Sequence, residues 1–200
     1  MVIVLTGGIG SGKSTAAAIL SSTYGYPVYD ADSAVKRLYV SESGLLTDIE
    51  ALAGRSFRNE DGSFSRNLLA DWIFSSPEAT CAVEELVFPV LMKDFEMWKR
   101  NQASDVVVFE SATILEKPYF NGFGDVVLIV DAPLGQRIER VMCRDGVPRE
   151  KVEERCRLQK LMNEVSAGRR IEGTYVCRNT GSADDLKSEL KKIIENINIK

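Results

Sequence analysis

Apolar positions along this chain fall into short unbroken runs separated by longer stretches with helical spacing. Val2-Ile3-Val4-Leu5, Val28-Tyr29, Val106-Val107-Val108-Phe109, Val126 to Val130 and Tyr175-Val176-Cys177 are runs rich in β-branched and aromatic residues. Side chains that are apolar at consecutive rather than alternate positions predict strands covered on both faces. Helical patterns follow from Ser14, from about Ser33, from Pro133 and from Ser182. Repeated strand-then-helix order predicts an α/β fold, a parallel sheet with helices on both faces. In such sheets ligands gather beyond the C-terminal ends of the strands.

The stretch from Gly44 to Gln102 breaks the alternation. Leu45 to Ala53, a turn at Asp61-Gly62, Leu68 to Phe74 and a long pattern from Pro77 onward predict a helical insert. Pro89 lies inside the long pattern and predicts a kink or break there, because proline removes a helical hydrogen bond and crowds the preceding turn. Trp72 and Trp98 read as core anchors. A second helical pair, Pro133 to Arg144 and Pro148 to about Ser166, meets at Asp145-Gly146-Val147, where Asp-Gly favours a turn. That hairpin could close as a lid.

The chemistry starts where the first strand ends. Gly7-Gly8-Ile9-Gly10-Ser11-Gly12-Lys13-Ser14 fits G-x-x-x-x-G-K-[ST] and directly follows an apolar strand. In such a loop successive backbone N–H groups wrap a phosphate, and a Cβ at the glycines would block the approach or forbid the dihedrals. Lys13 can reach the β- and γ-phosphates, Ser14 can place its hydroxyl on Mg²⁺, and the helix that follows aims its positive end at the anion. A nucleoside triphosphate is therefore the expected ligand. The alternative reading is a glycine-rich turn that binds nothing.

Composition narrows the chemistry. The 200 residues contain no histidine, which removes histidine-dependent hydrolase triads and leaves acid–base work to Asp, Glu, Lys, Tyr or Cys. Cys81, Cys143, Cys156 and Cys177 are scattered without a C-x-x-C pair, and they read as reduced thiols. No apolar run approaches the ~20 residues of a membrane span, and no leader pattern opens the chain, so a soluble cytoplasmic protein is expected. A net charge of −4 argues against broad nucleic-acid binding. Residues 131–170 nevertheless carry ten basic and seven acidic side chains. The local excess fits an anion site, and equally a solvated helix pair laced with salt bridges.

Three groups could act on a phosphate. Asp30-Ala31-Asp32 ends the second strand, and two acids spaced by two share one side of an extended chain. One could accept a proton from an attacking hydroxyl or organise a metal, and one could simply cap the helix at Ser33; Asp32 is the better catalytic candidate. Glu110, after Val106 to Phe109, is placed to support Mg²⁺ or to be a solvated charge, and Glu116 follows six residues on. Arg140 and Arg144, four apart on one helical face, could stabilise a migrating phosphoryl group, or Arg144 could pair with Asp145.

Taken together these residues resemble the dephospho-CoA kinase family across nearly the whole chain. The resemblance rests on Leu5 to Ser14, Asp30-Ala31-Asp32, the long middle helices, Glu110 to Glu116, Arg140, Arg144, Gln159 and Asn179-Thr180-Gly181. It implies a P-loop NTPase core, three layered α/β/α with five parallel strands, a helical substrate-binding insert and a helical lid. The implied divisions are a nucleotide-binding core at 1–43, 104–135 and 173–200, an insert at 44–103 and a lid at 136–172. It implies ATP-dependent, Mg²⁺-dependent phosphorylation of the ribose 3′-hydroxyl of dephospho-CoA.

By position, Asp32 is similar to the general base, Lys13 and Ser14 to the phosphate and metal contacts, and Arg144 to the lid arginine. Asn179 and Gly181 are similar to the loop near the adenine. The expected nucleotide contacts are then Gly8, Ile9, Gly10, Ser11, Gly12, Lys13, Ser14, Thr15, Arg140, Arg144, Asn179 and Gly181. The expected acceptor contacts are Asp32, Phe88, Pro89, Glu110 and Glu116, and the metal set is Ser14, Asp32 and Glu110. No nucleic-acid or membrane partner is expected, and the protein is expected to be a monomer or weak homo-oligomer.

The chain departs from the family pattern at Phe88, where histidine is usual, at Ser111 to Leu115, and at Gly173-Thr174. A nucleotide or nucleoside kinase of similar architecture is the alternative. N-K-x-D, the D-x-x-G of switch proteins and L-S-G-G-Q are all absent.

Overall fold

The computed structural model describes residues 1–41 and 43–197. The elements run β1 (Val2–Gly7), α1 (Lys13–Tyr24), β2 (Val28–Asp30), α2 (Ala31–Ser41), α3 (Ser43–Ala53), α4 (Arg66–Ile73) and α5 (Pro77–Arg100). Then come β3 (Val107–Glu110), two short 3-10 turns, β4 (Val126–Asp131), α6 (Leu134–Asp145), α7 (Arg149–Leu158), α8 (Lys160–Ser166), β5 (Thr174–Arg178) and α9 (Ala183–Asn196). They form two compact units, Met1–Asp30 with Gln102–Lys200, and Ala31–Asn101.

In the first unit all five strands are parallel, in the order β2-β3-β1-β4-β5. β1 is central and buried along its whole length, which is why its sequence is apolar without alternation. One face of the sheet packs Ile3, Leu5, Val108, Leu128 and Val130 against Ala16 and Leu20 of α1 and Leu186, Leu190 and Ile193 of α9. Each fully buried leucine or isoleucine there contributes about 1.5–3 kcal/mol. On the other face Ile129 meets Met162 and Val165 of α8. The α6–α7 hairpin keeps a small core of its own, Ile138, Val141, Val152 and Cys156. Because every strand runs the same way, the ends of β1, β3, β4 and β5 arrive on one edge.

The second unit is helical. α2, α3 and α4 pack on the long α5. Phe57, fully buried, stacks obliquely on Trp72 with ring centres 5.4 Å apart, and Phe95 on Trp98 at 6.0 Å. Both tryptophans are half-buried anchors of this unit. The Asp61-Gly62 turn is present, with Gly62 at φ 82° and the Asp61 carboxylate accepting from the Ser63 N–H.

Three local expectations change. The helix after β2 starts at Ala31 rather than near Ser33, so Asp32 lies in its first turn and the extended-chain argument that put Asp30 and Asp32 on one side does not apply. Helix α2 packs with α3 and α5 within the unit Ala31–Asn101. Pro89 does not break α5, which runs from Pro77 to Arg100 through it. Pro89 and Glu85 are both exposed, so the carbonyl that proline leaves unbonded faces solvent. Finally, the helix expected from Pro148 to Ser166 is two helices, interrupted at Gln159 with φ −86° and ψ 67°.

All four cysteines are free, Cys81 and Cys143 exposed, Cys156 and Cys177 buried. Burial, with a smaller push from Glu189, raises the Cys177 thiol to about 12. Since only the thiolate attacks, an aromatic disulfide reagent at pH 8 is expected to titrate the two exposed thiols quickly and all four only in denaturant. Fast reaction of a third thiol in the native protein would contradict this burial.

Candidate active site

The loop between β1 and α1 is the floor of a cavity of about 420 Å³, lined by residues 7–15 with Ala112, Arg140, Val141, Arg144 and Gln159. Gly12 precedes α1 at φ 99°, and no side chain caps the helix. The first-turn N–H groups are therefore not consumed by a capping residue, and the first turn has no acid to repel an anion. Gly10, at φ 76°, also needs a conformation that side chains resist.

The glycines serve a second purpose that the motif does not reveal. A Cβ on Gly8 would sit 2.2 Å from a guanidinium nitrogen of Arg137, and one on Gly10 2.3 Å from the Arg137 carbonyl oxygen. A Cβ on Gly12 would sit 2.1 Å from Asn179 Nδ2. The loop is pressed against α6 and the end of β5 as closely as it could be against a ligand.

Parallel register brings the charged groups together. Leu5 of β1 stands opposite Glu110 of β3, and Asp30 of β2 is in register with Glu110. Glu110 is buried and its Oε1 accepts from Lys13 Nζ at 2.8 Å and from Ser14 Oγ at 3.5 Å. The ammonium of Lys13 has two further N–H donors for a phosphate. Ser11 is 1% exposed and its Oγ has no hydrogen-bond partner among the described residues. A buried orphan hydroxyl, an uncapped helix and an ammonium on one cradle fit a bound polyphosphate. Adjacent carboxylate and hydroxyl oxygens fit a hard cation such as Mg²⁺. Among the described residues no group of three or more His, Cys, Asp or Glu side chains that could hold a metal ion is present.

Arg140 and Arg144 both line the cavity, but differently. Arg140 donates from 3.4 Å to the carbonyls of Gly10, Ser11 and Asn179, so it also braces the loop. Arg144 is exposed and forked onto Asp145 at 2.6 and 3.0 Å. Those hydrogen bonds raise the guanidinium and hold the Asp145 carboxyl below its ordinary range. Asn179, buried, donates to the Ser11 carbonyl at 2.8 Å and accepts from Arg140, a structural brace in this geometry. Gly181 lies against Asp185, which closes the capping box of α9 with Ser182.

The remaining sequence candidates are not among the residues that line the cavity. Glu116 is exposed and borders an open depression with Lys160, Glu164 and Arg169. Asp32, Phe88 and Pro89 belong to the second unit, Asp32 exposed in the first turn of α2 and Phe88 half-buried on α5. Two residues escaped the sequence reading as functional groups. Arg137 was counted only as one basic residue among ten, yet it is 1% exposed and donates to the Ile9 carbonyl. Gln159 contacts both partners of that bond. Nothing in a mixed-charge helix distinguishes a buried arginine from a solvated one.

Comparison with known proteins agrees with this geometry. The family model described as CoaE, dephospho-CoA kinase, matches residues 1–185. A dephospho-CoA kinase from Thermus thermophilus is 36% identical over 196 residues, covering 97% of this chain and 90% of that protein. One from Porphyromonas gingivalis is 41% identical over 155 residues, covering 78% and 75%. A crystal structure of a Thermus thermophilus protein, 33% identical, superposes with a TM-score of 0.82 over 99% of this chain and 98% of that one. A phosphate cradle on a five-stranded parallel sheet, matched over most of its length by these relatives, settles the lineage: the chain belongs to the dephospho-CoA kinase family, Mg²⁺-dependent enzymes that use ATP to phosphorylate dephospho-CoA in the last step of coenzyme A synthesis.

Proposed function

We propose that this chain runs its family's reaction through a division of labour between its phosphate loop and Asp32. The observation that carries the reading is the meeting of Lys13, Ser14 and Glu110 at the mouth of the amide cradle. The cradle binds the β- and γ-phosphates of ATP, and Lys13 offsets negative charge on the transferred group. Arg144 joins it when freed from Asp145. Asp32 accepts the proton of the acceptor's 3′-hydroxyl, since the chain has no histidine to do so.

Ser14 and Glu110, with Asp32 as a further candidate, would hold Mg²⁺, which neutralises phosphate charge when bound. Arg140 and Asn179 shape the loop from behind, while Gly181 flanks the adenine. Residues 44–103, with Phe88 and Pro89, form the substrate-binding insert; Glu110 and Glu116 contact the acceptor from the core. Residues 136–172 form the lid, and 1–43, 104–135 and 173–200 the nucleotide core.

No helix among the described residues is long and apolar enough to cross a membrane, and the net charge is −4. Both support a cytoplasmic enzyme without membrane or nucleic-acid partners, and we take it to act as a monomer or weak homo-oligomer. The test is a kinase assay with ATP and Mg²⁺, reading coenzyme A from dephospho-CoA beside nucleoside and nucleoside monophosphate acceptors. Coenzyme A formation with at least a hundredfold preference in kcat/KM, roughly the discrimination of about 3 kcal/mol of acceptor contacts, is expected. Preference for a nucleoside or nucleotide would replace the acceptor assignment.

A further inference from the structure

Among the described residues Arg137 is the only buried cation. No carboxylate of those residues pairs with it. Its Nε donates to the Ile9 carbonyl at 3.0 Å and a terminal nitrogen to Gln159 Oε1 at 3.1 Å. The same Gln159 oxygen accepts the Ile9 N–H at 2.8 Å. Both polar groups of Ile9, a residue in the middle of the phosphate loop, are thus held by two side chains that touch each other. Burying a permanent charge without a counter-ion costs several kcal/mol, which these hydrogen bonds only partly offset, so its place under the loop calls for a reason.

Geometry supplies the reason. Ile9 is flanked by Gly8 and Gly10, which have no Cβ to resist rotation of the neighbouring peptide planes. A cradle for an anion needs amides facing inward and carbonyls facing away, and a single flipped plane would turn an oxygen toward the phosphate. We propose that Arg137 and Gln159 are positioning residues for the phosphate loop. The planar fork of Arg137 holds the Ile9 carbonyl away from the cavity, and Gln159 fixes the amide of the same residue. Gln159 is also the break between α7 and α8, so the hairpin's far end is anchored to the loop through one amide oxygen. The inference rests on the reading that this loop holds the phosphates of ATP.

The test measures ADP binding by calorimetry with Mg²⁺, which needs no acceptor, together with KM for both substrates. Loss of a hydrogen bond to a charged group predicts roughly tenfold or greater weakening of ADP binding in Arg137→Met and in Gln159→Leu. Arg137→Lys is expected to fall as far, because lysine keeps the charge and loses the fork. KM for dephospho-CoA should stay within about twofold. The double variant should be no worse than the weaker single by more than about twofold, since both act on one residue. Hydrogen exchange at the Ile9 amide should speed up in Gln159→Leu while the Leu20 amide of α1 is unchanged.

Wild-type ADP affinity in Arg137→Lys, multiplicative effects in the double variant, or an unaltered Ile9 amide would overturn the proposal. If Arg137→Met does not fold, Gln159→Leu at its half-buried position carries the same readings. A wild-type protein that binds ADP but forms no coenzyme A would overturn the acceptor assignment and leave this inference standing.

Discussion

Replacing Asp32 by Asn is expected to lower kcat by roughly 10²- to 10⁴-fold, the range for a missing general base, with KM for ATP nearly unchanged. Asparagine keeps the size and the hydrogen-bonding capacity of the side chain but cannot accept the proton. Asp32 is exposed in the first turn of α2, where a negative charge gains only a modest interaction with the helix end. The unfolding midpoint should therefore move little, and far-ultraviolet circular dichroism should be unchanged. No imidazole can take over, because the chain has no histidine. A variant that turns over at near wild-type rate would remove Asp32 from the mechanism and direct attention to Asp30 or Glu110.

Lys13→Met should be comparably damaging, for two separable reasons. Loss of a preorganised donor to the transferring phosphoryl predicts about a 10²- to 10³-fold fall in kcat/KM for ATP. The same change strips Glu110, a buried carboxylate, of its partner at 2.8 Å. Leaving such a group with only the long 3.5 Å contact from Ser14 Oγ destabilises by about 1–3 kcal/mol. Adding Glu110→Gln should recover most of the lost unfolding midpoint and none of the activity. Recovery of activity in the double variant would mean that Lys13 serves only to neutralise Glu110. Denaturant melts and steady-state kinetics on the same samples separate the two effects.

Much of the core was legible because it is buried on both faces. A strand such as β1, buried on both faces, carries the unbroken run Val2-Ile3-Val4-Leu5 ahead of a glycine-rich turn, a pattern that a solvated helix or loop does not produce. The phosphate loop was legible for the same reason a sentence is: its chemistry lies in one continuous segment, with Lys13 and Ser14 in the chain order their roles require. Local conformation near breaks was less so. Neither proline nor glycine marks Gln159, and the interruption there coincides with its bond to Ile9, 150 residues away. Pro89 carried the opposite error, since an exposed turn of a packed helix tolerates the carbonyl that proline orphans. The Asp30-Ala31-Asp32 triplet fits a strand end or a helix start equally well, and the packing of α2 on α3 and α5 accompanies the helical outcome.

The sequence by itself determined the ligand class, the parallel α/β core and the absence of imidazole chemistry, because each depends on residue type and on neighbours within a few positions. Tertiary structure alone decided that Glu110 would hold Lys13, that Asn179 and Arg140 would brace the loop, and that Arg137 would be buried beneath it. These contacts join residues 97 to 168 positions apart. They exist only because parallel strands deliver their ends to one edge of the sheet, a fact about pairing that no local pattern of charge encodes.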